Sequence, residues 1–158
     1  DIKKGLMNFK GVQRRFNKIF SYNGIDFYDD YAHHPTEIKV VLEGVNKVYQ
    51  GFEKVCIFQP HRISRLKDLK KEFSFAFKNA DTIILCPIFT AGEKIKLGFN
   101  YNNFAKEIIK NSKVRLFLVN DKNQLAKFLK KNMYGKKIVI GMGAGSISNW
   151  MRQLPKLM

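Results

Sequence analysis

From residue 51 onward the sequence repeats one pattern: a short apolar run, then a longer stretch with apolar residues three and four apart. The runs fall at residues 54–59, 82–86, 114–119 and 137–141, and the amphipathic stretches at 64–79, 101–111 and 121–131. In the first stretch Leu66, Leu69, Phe73, Ala76, Phe77 and Ala80 share one face of a helix. Strands joined by helices of this length make right-handed crossovers, which give a parallel sheet covered on both faces. Ahead of the repeat, residues 16–22 alternate apolar and polar, Asn23-Gly24 marks a hairpin turn, and residues 25–30 return. A helix is then predicted from Pro35 to about Tyr49, with Ile38, Val41, Leu42, Val45, Val48 and Tyr49 on its stripe. The expected fold is a three-layer α/β domain with a mixed, mostly parallel, Rossmann-like sheet and an N-terminal β-hairpin. A chain of 158 residues suits one such domain, spanning 1–158, with one core.

Several classes are set aside by composition. No apolar run approaches the roughly 20 residues of a membrane span. Residues 1–5 lack the apolar centre of a signal peptide, and the absence of an initiator Met suggests a piece of something longer. Cys56 and Cys86 lie in apolar runs with no partner spacing, so they read as buried thiols of a reducing, cytoplasmic protein, with no metal site expected. A net charge of +16 invites a nucleic-acid reading. The lysines, however, spread over polar helix faces, as at Lys67, Lys70, Lys71, Lys78, Lys106, Lys110, Lys127, Lys130 and Lys131, and no nucleic-acid-binding motif is visible. A basic, non-enzymatic α/β module that binds nucleic acid or another polyanion is the rival reading.

In open α/β sheets ligands bind beyond the carboxyl ends of the strands. Four loops fall there, at residues 29–36, 59–65, 87–93 and 141–146, and all carry unusual polar or glycine chemistry. Asp29-Asp30-Tyr31-Ala32-His33-His34-Pro35-Thr36-Glu37 packs three carboxylates, two histidines and a phenol into nine residues. A helix N-terminus accounts for Pro35, Thr36 and Glu37. It does not account for the acids and histidines, which resemble a site. Gln59-Pro60-His61-Arg62-Ile63-Ser64-Arg65 places two arginines and a histidine at the positive end of a helix, where an anion would be welcome. The alternative is that these arginines pair with Asp68 or with the acids of the first loop. Gly141-Met142-Gly143-Ala144-Gly145-Ser146 is either a tight turn or a backbone cradle for an anion. Ala91-Gly92-Glu93 is weaker, with Glu93 a turn residue or a partner for a cation.

Five segments in order resemble the C-terminal domain of the Mur ligases, nearest the branch that adds L-alanine in peptidoglycan synthesis. They are residues 9–16, 29–37 and 58–65, Ala91-Gly92-Glu93, and Gly143-Ala144-Gly145-Ser146-Ile147. Ser146 departs from the pattern, since that family often has aspartate there. The family is a three-domain machine, and its phosphate loop, Gly-x-x-x-x-Gly-Lys-Ser/Thr, is absent from this sequence. The resemblance therefore implies the third domain alone, with the UDP-sugar and ATP domains missing and the isolated chain inactive.

The resemblance also implies roles. His61, Arg62 and Arg65 would hold the carboxylate of L-alanine, with Tyr31 adding a hydrogen bond. His33 would sit near the reacting centre as the catalytic residue, and Asp30 would meet the ATP ribose as the domain closes over the nucleotide. ATP, Mg2+ and UDP-N-acetylmuramate would be held by the other domains.

Overall fold

The computed structural model describes residues 15–94 and 99–158. Residues 9–14 of the first family-like segment lie outside these. The elements run β1 (Asn17–Tyr22), β2 (Ile25–Asp30), α1 (Pro35–Val48), β3 (Glu53–Phe58), α2 (Ile63–Asp68), α3 (Lys70–Phe75), β4 (Thr82–Leu85), α4 (Tyr101–Ser112), β5 (Arg115–Leu118), α5 (Lys122–Asn132), β6 (Lys137–Met142) and α6 (Ile147–Leu157). The six strands form one sheet in the order β1-β2-β6-β3-β4-β5. Only β1 is antiparallel to its neighbour. Asn23 and Gly24 both take positive φ, 51° and 74°, as a hairpin turn matched to strand twist requires.

The helices sort by direction of travel. From β2 to β3, β4 and β5 the chain moves one way across the sheet, and right-handed crossovers put α1 through α4 on one face. From β5 it returns to insert β6 between β2 and β3, so α5 lands on the opposite face, where α6 joins it. Covered on both sides, β3, β4 and β6 are almost continuously buried. The strands flanking β6 send their chains to one face while β6 sends its own to the other. The crevices on either side of its carboxyl end are the topological switch points of the sheet.

Two expectations need correction. The single helix over 64–79 is two short helices that break at Leu69, whose φ of −117° and ψ of 21° leave the helical region. The break still lets both Phe73 and Phe77 pack on Phe58, at 5.8 and 5.2 Å between centroids. The apolar stripe of α1 is also narrower than its sequence implies: Ile38, Leu42 and Val45 are buried, but Val48 is 76% exposed.

Candidate active site

The loops after β2, β3, β4 and β6 meet at these crevices. Gly143 N–H donates to Asp30 O at 3.2 Å, and Gln59 N–H to Met142 O at 3.0 Å, so the β6 end is tied to both neighbours. The Gln59 side chain continues the tie. Its Nε2 donates to Ser146 Oγ at 2.9 Å and its Oε1 accepts from Ile147 N–H at 3.0 Å, which caps α6. Gly143 has φ 152°, and a Cβ there would lie 2.8 Å from Gln59 O. Its glycine is thus required by both conformation and space.

The acids of the first loop each help to hold the fold. Asp29 is fully buried, and its Oδ2 accepts from Ser148 Oγ at 2.5 Å, with Arg152 Nη2 3.7 Å away. Asp30 Oδ2 accepts from Phe16 N–H at 2.9 Å and Oδ1 from Ala32 N–H at 2.8 Å. Burial pushes the Asp30 carboxyl above its ordinary range, a shift the two N–H groups only partly offset. Glu37 Oε2 accepts from the N–H groups of His33 and His34, at 3.0 and 3.3 Å. His34 Nδ1 accepts from Thr36 N–H at 3.2 Å. The second histidine is therefore the cap of α1, with Pro35 at its first turn.

What remains is a cluster of rings and guanidinium groups. The Tyr31 and His33 rings lie 4.9 Å apart, and those of His33 and His61 5.8 Å apart. Arg65 Nη1 lies 3.2 Å from both His61 Nδ1 and His61 O. A guanidinium has no acceptor, so Nδ1 of His61 must accept and its proton sits on Nε2. Burial, and then the charge of Arg65, holds the His61 imidazolium below the usual histidine range. His33 Nδ1 lies 2.8 Å from Tyr31 O, which can only accept, so in the neutral ring Nε2 is left as a lone pair. Arg62 takes φ 70° just before α2, and its N–H donates to Phe89 O at 2.8 Å. Among the described residues neither Arg62 nor Arg65 forms a salt bridge with a carboxylate, Asp68 and the first-loop acids included.

The structure thus brings Tyr31, His33, His61 and Arg65 together, with Arg62 at the start of the adjoining helix. Asp30 instead borders a hollow of about 450 Å³, which Arg15, Phe16, Tyr31 and Val40 also line. A larger hollow of about 540 Å³ lies between the helices, lined by Pro35 and Thr36 at the start of α1 and by Lys39, Glu43, Glu72, Phe75 and Lys78. Gln59 and Phe89 are site residues that sequence reasoning gave no role. Glu93 accepts from Ser64 N–H and Oγ, so it fixes the start of α2.

A family model, "Mur ligase, glutamate ligase domain", matches residues 14–145. This chain belongs to the Mur ligase family. Over 156 residues it is 74% identical to the UDP-N-acetylmuramate–L-alanine ligase of Pelagibacter ubique, covering 99% of this chain and 34% of that protein. The corresponding ligase of Bartonella bacilliformis is 39% identical, with 98% and 32% covered. The crystal structure of UDP-N-acetylmuramate–alanine ligase from Thermotoga maritima superposes with a TM-score of 0.73 at 26% identity, over 97% of this chain and 31% of that one. The chain spans about a third of the length of the Mur ligases it matches. Kinship with these ligases does not favour the rival polyanion-binding reading. No helix among the described residues is long and apolar enough to cross a membrane.

Proposed function

We propose that this chain is the amino-acid-binding domain of an ATP-dependent, cytoplasmic bacterial ligase that joins L-alanine to UDP-N-acetylmuramate. The observation that carries the reading is the Arg65–His61 contact at the switch point, with both arginines free of salt bridges among the described residues. An amino acid arrives with a carboxylate that must be neutralised and an amine that must be aimed. Arg62 and Arg65 supply positive charge in a planar fork, and His61 offers its Nε2–H. Tyr31, half-exposed beside His33, adds a hydroxyl. His33 keeps a proton on Nδ1 and presents Nε2, which suits it to take the proton the amine loses as it attacks.

Activation of the muramyl carboxylate as an acyl phosphate is the chemistry that ATP and magnesium supply when bound. The residues here do not fit the grip on those phosphates. The sequence has no phosphate loop, and among the described residues no group of three or more His, Cys, Asp or Glu is placed to hold a metal ion. They fit an edge contact instead: Asp30 borders the hollow beside Arg15, Phe16 and Tyr31, where a ribose hydroxyl would meet its carboxylate.

The test is ADP release by the longer polypeptide to which this chain belongs. Release that needs both UDP-N-acetylmuramate and L-alanine, and is absent with the 158-residue chain alone, supports the reading. Release indifferent to L-alanine, or turnover by the chain alone, contradicts it. Salt-sensitive polyanion binding that survives His61→Ala would revive the rival.

A further inference from the structure

The ring of His61 lies against Phe89, with centroids 5.5 Å apart and planes 17° apart. Backbone bonds fix this pairing. Arg62 N–H donates to Phe89 O, and Phe89 N–H to Pro60 O, both at 2.8 Å, so His61 and Phe89 form a parallel bridge. Beneath Phe89 lies Gly145. A Cβ on Gly145 would stand 2.4 Å from Phe89 Cγ and 2.7 Å from its Cβ. Gly145 is not among the positive-φ glycines, so space, not backbone conformation, excludes a side chain there. The adjoining Ser146 and Ile147 are pinned by the Gln59 side chain. The glycine loop after β6 is therefore built as a socket for an aromatic ring.

We infer that Phe89, seated on Gly145, is a positioning residue that fixes the imidazole plane of His61 and, through Nδ1, the guanidinium of Arg65. This inference rests on the proposed role of His61 and Arg65 in holding the amino-acid carboxylate. Two groups with freely rotating side chains would lose entropy on binding an anion, and a preset pair loses less. Phe89 is 37% exposed, so it is not an ordinary core residue whose loss would unfold the chain. The charged and titratable groups facing His61 are Arg62 and Arg65 from its own segment and helix, His33 from the β2 loop, and Glu93 from the β4 loop.

Nuclear magnetic resonance of the 158-residue chain tests this without recourse to turnover. His61 is titrated, and its ring tautomer read, in the parent and in Phe89→Tyr, Phe89→Leu and Gly145→Ala. His34, which caps α1, serves as the internal reference. Phe89→Tyr should leave His61 unchanged. Phe89→Leu and Gly145→Ala should raise its midpoint toward the ordinary value of 6.5 and weaken the Nε2–H signature, with His34 unmoved. An unchanged His61 in either folded variant overturns the inference, as does unfolding of both, which would make Phe89 a packing residue only. The readout does not depend on the ligase reading. In the ligase itself, Phe89→Leu should raise KM for L-alanine on the order of tenfold and leave KM for ATP near the parent value; an unchanged alanine KM contradicts the inferred role.

Discussion

Nδ1 of His61 accepts from Nη1 of Arg65 at 3.2 Å, across one turn at the start of α2. That contact fixes the tautomer of the histidine and one orientation of the arginine.

Gln59 couples the β3 loop to the start of α6 through two side-chain bonds at a largely buried position. Gln59→Ala leaves the Ile147 N–H without its acceptor, which costs about 2 kcal/mol, or roughly 4–8 °C in Tm for a chain of this size. Thermal denaturation of the two proteins checks this; equal melting temperatures would show that water replaces the amide without loss.

Glu53, at the opposite end of the sheet, binds Lys137, Thr82 and Arg115. Burial works to raise its carboxyl, but hydrogen bonds from Lys137 and Thr82 and the charges of Lys137 and Arg115 outweigh it. The carboxyl therefore sits below its ordinary value of 4.5. With the folded value depressed, its contribution to stability is present above pH 4.5 and is lost as pH falls through that lower folded value. Glu53→Gln should lower Tm at pH 7 by about 2–4 °C, since a partly solvated network contributes about 1 kcal/mol. Melts repeated down to pH 3 should show the gap to the parent closing. A gap that stays constant would mean the loss is one of packing and not of charge.

The two thiols are buried, and burial pushes the Cys86 thiol up to about 12 and the Cys56 thiol higher still. Thiolate is the reactive form, so native protein should react with a disulfide reagent very slowly at pH 8, and both thiols should react at once in denaturant. Rapid labelling of either cysteine in native protein would contradict the placement of β3 and the end of β4.

Much of the fold was legible because each apolar run is bounded by turn chemistry and each amphipathic stretch is long enough to be a crossover. The break at Leu69 was not, because the apolar stripe passes through it from Leu66 to Phe73 without a Gly or Pro. At the candidate site, composition pointed to loops that the fold brings together but could not apportion their side chains. His33 and His34 are neighbours in sequence, yet one ring nitrogen faces Tyr31 O and the other receives Thr36 N–H. The carboxylates of the same loop hold backbone N–H groups and Ser148, which a sequence cannot show. Phe89 was marked only by its place in a loop beyond a strand end, since the meaning of its side chain lies in a bridge to His61 and in the room left by Gly145.

The central claim, that this crevice holds the carboxylate of the incoming amino acid, is tested most directly by steady-state kinetics of the ligase with Arg65→Ala as L-alanine is varied. A charge-assisted, two-bonded contact in a closed site contributes about 2–4 kcal/mol, so KM for L-alanine should rise about 30- to 1,000-fold while ATP and the muramyl substrate change little. Arg65→Lys should recover only part of this, because an ammonium keeps the charge and loses the planar fork. Alanine kinetics near normal, together with a lowered melting temperature of the same preparation, would show Arg65 to be a brace for α2 and contradict the account.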